Sequence, residues 1–289
     1  MSDRHGAGHS LSEHELSEIR MLIEERTGIH FDESRERFFS TRVREHLRAK
    51  KLARGTDLLR AMRKSNVEYE ALLERLLTQE TSFFRYPAVY DAFEKRVLPE
   101  LHTKKFWTNP RTLRVWSAGC STGEEPYTLN MLMMEEAHGR LKDWTIEILA
   151  TDLNERSLAH AKNAIYGAYS TRNLSPYFRQ KYFTPAGEQL QVQPAVRTGI
   201  NFSRLNLSDD GRMTFMKGLD VVFCCNVLIY FDLASKRRVI QHFYNNLMPH
   251  GYLFLGHSES LYGVSDEFQL VHLPGATAYI KGERTQAGK

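Results

Sequence analysis

The stretch Leu113-Arg-Val-Trp-Ser-Ala-Gly-Cys-Ser-Thr-Gly-Glu-Glu-Pro-Tyr127 constrains the fold more than any other part of the chain. Leu113 to Ser117 is a short apolar run of strand formers. Ala118 to Gly123 is a turn of small residues with two glycines. Glu124, Glu125 and Pro126 then open a helix whose apolar positions include Leu129, Leu132 and Met133. Strand, glycine turn and helix in this order form the opening unit of a doubly wound α/β domain. Such a turn brings backbone N–H groups and a helix N-terminus up to a ligand.

The charges after the turn narrow the ligand. A phosphate-cradling loop carries Lys-Ser/Thr after its last glycine. Here two carboxylates follow Gly123, and they repel a pyrophosphate, so NAD and ATP are disfavoured. A cofactor with a cationic end and no phosphate is favoured, and S-adenosylmethionine, with its ammonium and sulfonium, is one. The competing explanation is that acids in a first turn only complement the helix dipole. That accounts for one Glu more readily than for both.

Composition sets loose bounds. A chain of 289 residues makes one large domain or two modest ones. With 42% hydrophobic and 26% charged residues it is an ordinary globular composition, and a formal charge of +4 is too small to imply nucleic acid. Cys120, Cys224 and Cys225 form neither a disulfide framework nor a metal-ligand spacing, which fits a reducing cytoplasm. The first residues are polar, without the apolar core of a signal peptide. The longest apolar run, Val221 to Phe231, is broken by Asn226 and is too short to span a bilayer, so no membrane insertion is expected.

Taken in order, residues 1–10 read as a disordered tail and residues 11–80 as a small helical domain. Ser12 and Glu15 have capping-box spacing, Leu16, Ile19, Leu22 and Ile23 mark one helical face, and Gly28 suits a C-terminal cap. A second helix is predicted from about Asp32 to Ala53, striped by Phe39, Val43 and Leu47. Thr56 and Asn66 are N-cap candidates for two more helices, which carry Leu58, Leu59 and Met62, then Leu72, Leu73, Leu76 and Leu77. The second helix is very basic. From Arg35 to Arg54 there are eight Lys/Arg against two Glu, a net of +6. Arg37, Arg44, Arg48 and Lys51 fall within an arc of roughly 60°. Such a run is most often a solvated face; the sharper alternative is a docking face for an acidic partner.

Residues 81–110 read as a linker and helix. In Gln79-Glu-Thr-Ser-Phe-Phe-Arg-Tyr-Pro87, Phe83 and Phe84 are core candidates and Pro87 opens the helix. Arg85 is either a structural ion pair or an active-site cation. Residues 111–283 read as an α/β catalytic domain. After the glycine unit, Thr145 to Asp152 is a second strand ending in an acid, and such an acid can hold a ribose diol. It could also cap the next helix, but Asn154 caps equally well, which leaves Asp152 for the ribose. That helix is predicted to end near Tyr166. The long stretch to Asn201 contains the alternating Gln189–Gln193, so a small antiparallel β-insert is predicted over about 168–200. Asn201–Asn206 is a third strand and Leu219–Asn226 a buried central one. A helix from Leu233 to Leu247, a strand from Gly251 to Gly256 and a pair near Phe268–Leu273 and Thr277–Lys281 complete the sheet. Asn226 and Tyr230 sit at the carboxyl end of the central strand, where ligands bind in open α/β sheets. A lone Tyr there is more often packing.

Five segments together resemble the chemotaxis receptor methyltransferase family, CheR. They are Thr-Ser-Phe-Phe-Arg85, Val-Trp-Ser-Ala-Gly-Cys-Ser-Thr-Gly-Glu-Glu-Pro-Tyr127, Thr-Asp152, Asn-Val-Leu-Ile-Tyr-Phe-Asp232 and Gly-His-Ser-Glu-Ser260. They occur in family order and cover about residues 12–282. The resemblance implies S-adenosylmethionine-dependent methyl esterification of glutamates on the cytoplasmic domain of chemoreceptors, with S-adenosylhomocysteine as product. It implies a cytoplasmic protein recruited to membrane receptor arrays, and an S-adenosylmethionine methyltransferase (Rossmann-like) α/β fold with a β-insert, preceded by an all-α receptor-contact domain. It places the cofactor against Gln79, Thr81, Arg85, Ala118, Gly119, Glu125, Asp152, Asn206, Leu207, Cys225 and Asn226, and makes Arg85 and Tyr230 the active-site pair. No metal is implied. Two departures stand out. Many members carry Arg where this chain has Cys225. The turn before Gln189 is short (Pro-Ala-Gly-Glu) and resembles the form that does not grip a receptor's C-terminal pentapeptide tether, which shifts docking onto Arg37, Arg44, Arg48 and Lys51.

A glutamate carboxylate is ionised at neutral pH and needs no general base. Catalysis would then be positioning and electrostatics, with Arg85 orienting the acceptor and Tyr230 donating a hydrogen bond or facing the methyl group. Two rivals are a non-catalytic cofactor-sensing module and a nucleic-acid methyltransferase. Retention of Arg85 and Tyr230 argues against the first. The second expects a broader basic surface interleaved with stacking aromatics, which the sequence lacks.

Overall fold

The computed structural model describes residues 11–77, 79–108, 111–214 and 216–282. The expected tail, 1–10, lies outside them. The chain divides into two compact units, residues 1–78 with Tyr230–Ser235, and residues 79–229 with 236–289.

The first unit is built on four helices, α1 (Glu13–Thr27), α2 (Glu33–Lys50), α3 (Gly55–Lys64) and α4 (Asn66–Leu76). Ser12 and Glu15 close the expected capping box, and Gly28 ends α1 in the left-handed region at φ 75°. Asp32 caps α2 by accepting from the Arg35 N–H, and Lys51 takes the left-handed C-cap, so α2 stops three residues short of Ala53. The cap assigned to Thr56 is corrected. The Thr56 N–H donates to Glu15 Oε1 at 2.9 Å, so a carboxylate of α1 satisfies the start of α3 from outside. Gly55 permits this approach, since a Cβ there would stand 2.7 Å from the Glu15 side chain. The cap assigned to Asn66 moves one residue, to Ser65, whose side chain accepts from the Val67 N–H. Ile19, Ile23, Phe39, Val43, Leu47, Leu58, Met62, Leu72 and Leu76 form the buried core. His46 is buried among them with Nε2 2.6 Å from Glu68, and burial holds its pKa below the ordinary value.

The second unit starts with a continuous helical stretch: α5 (Pro87–Ala92), a π-turn (Phe93–Val97) and α6 (Leu98–Lys105). The α/β part follows as β1 (Thr112–Ala118), α7 (Glu124–Glu136), β2 (Thr145–Asp152) and α8 (Glu155–Asn163). An insert holds β3 (Ile165–Tyr166), α9 (Pro176–Tyr182), β4 (Phe183–Ala186), β5 (Gln189–Val192) and α10 (Pro194–Arg197). The chain then runs through β6 (Ile200–Arg204), α11 (Asp210–Met213), β7 (Leu219–Cys224), a 3-10 turn (Leu228–Tyr230), α12 (Leu233–Asn246), β8 (Leu247–Leu255), β9 (Phe268–Leu273) and β10 (Ala276–Lys281). Strand β8 starts at Leu247, four residues before the expected Gly251, β7 ends at Cys224, and two further expectations shift. Helix α8 ends at Asn163 with Ala164 in the left-handed region, and Tyr166 belongs to a strand. Strand β6 ends at Arg204, so Asn206 lies in the loop beyond it.

The large sheet has the order β6-β2-β1-β7-β8-β10-β9. The first five strands are parallel; β10 runs antiparallel to β8 and β9 antiparallel to β10. A separate antiparallel sheet, β3-β5-β4, is the insert. Period-two alternation along β1 sends Leu113 and Val115 to one face and Trp116 to the other. The first face is covered by Phe93, Val97, Leu98 and Leu101 of the leading helices and Leu129 and Leu132 of α7. On the other, Trp116 packs edge-on against Phe243 of α12 with ring centroids 5.2 Å apart. The Trp116 indole N–H donates to Thr151 Oγ1 at 2.9 Å, which satisfies a buried donor. At the amino ends of the strands, buried Asp220 accepts from Lys105 Nζ at 2.7 Å and from the Arg114 N–H at 2.9 Å. No helix among the described residues is long and apolar enough to cross a membrane.

Candidate active site

The order β6-β2-β1-β7 reverses between β1 and β7, which is where an open α/β sheet leaves a crevice at its carboxyl edge. Seven of the eleven residues named for a cofactor lie on that edge. Ala118 ends β1 and Gly119 follows it, Asp152 ends β2, Asn206 and Leu207 follow β6, and Cys225 and Asn226 follow β7.

The glycine turn is tightly specified. Gly119 (φ 83°), Ser121 (φ 48°) and Gly123 (φ 97°) all take left-handed backbone. A Cβ on Gly119 would stand 2.4 Å from Val227 Cγ2, and one on Gly123 2.7 Å from the Ala161 Cβ. Both glycines are therefore required twice, for φ and for space. The Gly119 and Cys120 N–H groups donate to the Thr151 carbonyl at 2.8 and 2.9 Å, which ties the turn to β2. Asp152 then accepts the Ser121 N–H at 2.8 Å on one oxygen and the Asn154 N–H at 2.8 Å on the other. Asn154, not Asp152, caps α8, accepting from the Arg156 and Ser157 N–H groups. Burial raises the Asp152 pKa against these bonds.

The two carboxylates after Gly123 part company. Glu124 is fully buried, accepts from Thr122 Oγ1 at 2.7 Å, and lies in the first turn of α7. Glu125 turns to β1, where Ser117 Oγ donates to it at 2.7 Å. Burial pushes the Glu125 pKa up to about 7, and the charge of Glu259 adds to the rise, while the Ser117 and Cys225 hydrogen bonds and Arg85 oppose it. The Cys225 thiol donates to this carboxylate and is itself held protonated by burial. A thiol, unlike a guanidinium, supplies no charge that would keep Glu125 ionised.

Arg85 is presented on a strained loop. Phe84 before it has φ 50°, a left-handed conformation that costs a non-glycine residue roughly 1–2 kcal/mol. The loop is pinned from both sides. The Phe83 N–H donates to the Ser170 carbonyl at 2.9 Å, and the Phe84 N–H to Thr128 Oγ1 at 3.3 Å. Phe83 is fully buried between Tyr166 and Phe183. Arg85 donates to the Glu80 carbonyl at 2.5 Å and lies 3.7 Å from the Glu80 carboxylate. Gln79 is exposed and Thr81 half-buried.

Tyr230 belongs to the helical unit. The Arg35 guanidinium stands 4.9 Å from its ring centre and 5.1 Å from that of Phe31. The His30 N–H donates to the Tyr230 carbonyl at 2.8 Å, and Ile29 pairs with Phe231 in an antiparallel bridge. In the same unit Arg37, Arg44, Arg48 and Lys51 are all exposed.

The residues at the carboxyl edge suit a polar, cation-bearing cofactor. Glu125 is a half-buried carboxylate whose hydrogen-bond partners among the described residues are neutral. Ser121 and Ser208, beside Asp152 and Asn206, each carry a buried hydroxyl with no hydrogen bond among the described residues. The CheR methyltransferase SAM-binding domain family matches residues 79–277, and the CheR methyltransferase all-alpha domain family matches residues 14–77. The chain belongs to the CheR methyltransferase family. Its activity is methyl transfer and its cofactor is S-adenosylmethionine. Relatives named chemotaxis protein methyltransferase include one from Borreliella burgdorferi, 31% identical over 88% of this chain and 90% of its own. Another, from Pseudomonas aeruginosa, is 33% identical over 90% of this chain and 95% of its own. Chemotaxis protein methyltransferase 2 of Vibrio cholerae is 31% identical over 94% of each.

Three contributors to this CheR crevice were not singled out in the sequence. Ser117 bonds Glu125. Tyr86 donates to Asn226 Oδ1 at 2.9 Å. Glu259 accepts the Asn226 N–H at 2.7 Å. The last two partnerships span 140 and 33 residues, so no local pattern announces them.

Proposed function

We propose that this enzyme forms methyl esters on glutamate side chains of chemoreceptor cytoplasmic segments, and that Arg85 and Tyr230 serve the reacting carboxylate. The observation that carries the reading is Glu125, a half-buried carboxylate at the strand ends with no direct cationic partner among the described residues. It is suited to the ammonium of S-adenosylmethionine. Asp152 accepts the ribose hydroxyls; its oxygens have lone pairs beyond the two N–H bonds they already take. Gln79, Thr81, Ala118, Gly119, Asn206, Leu207, Cys225 and Asn226 complete the cofactor wall.

The cofactor supplies an electrophilic methyl group. The acceptor carboxylate is already ionised, so no residue need remove a proton. Arg85 turns the acceptor toward the methyl group and excludes water. Its tie to Glu80 moderates the guanidinium, which would otherwise hold the carboxylate too firmly and blunt it as a nucleophile. Tyr230, fixed at ring and backbone, donates a hydrogen bond to the acceptor or lines the methyl group. The exposed cations Arg37, Arg44, Arg48 and Lys51 receive the acidic receptor helix, and the short Gly187-Glu188 turn between β4 and β5 goes with docking that needs no pentapeptide tether.

The test is transfer of labelled methyl groups to receptor-enriched membranes. Label released by mild base is the sign of an ester. Base-stable label, or label on nucleic acid, would overturn the proposal.

A further inference from the structure

The loop after β8 returns a side chain to the end of β7. Glu259 Oε2 accepts the Asn226 N–H at 2.7 Å and the Gly256 N–H at 2.7 Å, and Oε1 accepts the Ile229 N–H at 3.2 Å. One carboxylate thus gathers three main-chain donors from two loops.

What it gathers is unfavourable on its own. Asn226 has φ 61°, a conformation a non-glycine residue adopts at a cost. Gly256 is needed for the approach, since a Cβ there would stand 2.6 Å from Glu259 Oε2 and 2.7 Å from the Asn226 nitrogen. The Asn226 side chain is held in turn, with its Oδ1 accepting from the Tyr86 hydroxyl at 2.9 Å. Tyr86 follows Arg85 directly. Three main-chain donors converging on one carboxylate tie the strained turn at Asn226 to the loop after β8.

We infer that Glu259 is a positioning residue for methyl transfer. It locks the left-handed turn at Asn226, and through Asn226 the Tyr86 hydroxyl, so that the crevice beside Glu125 is formed before the cofactor arrives. The inference rests on the reading of that crevice as the cofactor site.

Five variants of the full chain test it: Glu259→Gln, Gly256→Ala, their double, Asn226→Ala and Glu125→Gln. Each is assayed for S-adenosylhomocysteine affinity, kcat, receptor KM, melting temperature and amide hydrogen exchange. Glu259→Gln keeps the shape but sets an NH2 against main-chain donors. We expect S-adenosylhomocysteine binding to weaken and kcat to fall on the order of ten- to hundredfold, with receptor KM unchanged. Exchange should quicken at Gly256, Asn226 and Ile229 but not in the strand cores. Gly256→Ala, which displaces the carboxylate and keeps its charge, should show the same pattern, and the double variant should be no worse than either single one. Wild-type affinity and kcat in Glu259→Gln would overturn the inference. So would losses that only track a lower melting temperature, or exchange that quickens throughout the sheet. If Asn226→Ala and Glu125→Gln both bind S-adenosylhomocysteine as wild type does, the cofactor-site reading itself fails. If those two lose binding while Glu259→Gln does not, only the role of Glu259 falls.

Discussion

Glu125→Gln separates what the crevice does for the cofactor from what it costs the fold. The Glu125 pKa stands at about 7 in the folded chain against 4.5 for an ordinary glutamate, chiefly because the group is buried. A folded-state value that is raised makes the neutral form the comfortable one. Below about pH 4.5 the side chain is protonated whether the chain is folded or not. As pH rises through 7 the folded chain must ionise a buried group, and stability is lost. The full loss is roughly 3 kcal/mol, at about 1.4 kcal/mol per tenfold change in proton affinity. Glutamine keeps an acceptor for Ser117 and removes the ionisation. The apo variant should therefore melt several degrees above wild type at pH 8 and above it by less than half that margin at pH 5.5. Cofactor binding should move the other way. If the ammonium requires the ionised carboxylate, S-adenosylhomocysteine binding to wild type should weaken by roughly tenfold from pH 8 to pH 6, about 1.4 kcal/mol. Binding to the variant should be weak and flat over that range. Calorimetry and thermal melts at the two pH values decide the matter. Wild-type affinity in Glu125→Gln at pH 8, or a melting advantage that does not change with pH, would refute the reasoning.

Asp152→Ala should weaken S-adenosylhomocysteine binding by roughly 1.5–3 kcal/mol, the range for hydrogen bonds to a charged group. A variant that melts early yet binds normally when folded would make Asp152 only the anchor of the Ser121 turn. Arg85→Ala and Tyr230→Phe should lower kcat more than they lower the melting temperature, and Arg85→Ala should also weaken the cofactor. Unchanged turnover removes that residue from the active-site pair. Replacing Arg44 and Arg48 with Glu should raise receptor KM most at low ionic strength and leave S-adenosylhomocysteine affinity alone, because exposed charges are screened by salt. A wild-type KM at low salt would make the basic face merely solvated.

The helical unit shows which signals a sequence carries and which it does not. Ser12 and Glu15 form the expected capping box because both ends of that motif lie within one turn. The start of α3 is capped by the same Glu15 from 41 residues away, and nothing near Thr56 records that partner. The Thr hydroxyl looked like the cap because a local reading has no other candidate. At Asn66 the error is one residue, since Ser65 and Asn66 are both good caps and only the extended backbone of Ser65 decides between them. At Tyr166 the helical pattern runs on, but Ala164 turns left-handed and the chain enters the insert, where Tyr166 donates to the Thr122 carbonyl at 2.6 Å. Tertiary pairing overrides periodicity there.

The crevice divides along the same line. The glycine turn, the acid ending β2 and the polar end of β7 are legible because strand, turn and helix follow one another in the chain and the carboxyl edge of a parallel sheet is a fixed address. Which of two adjacent glutamates faces that edge is not legible from residue spacing, and only the family resemblance pointed to Glu125. Helical spacing puts Glu124 and Glu125 about 100° apart, and only the fold shows that Ser117 of β1 meets the second while Thr122 holds the first. The dipole reading therefore suits Glu124, and the electrostatic reading suits Glu125. The cost of the second is visible in its pKa. A half-buried carboxylate with no direct cationic partner among the described residues, and with the Cys225 thiol at its side, destabilises the apo fold at neutral pH. If the cofactor's ammonium seats on Glu125 as proposed, binding reverses that penalty, and the same desolvation that weakens the empty chain strengthens its grip on S-adenosylmethionine.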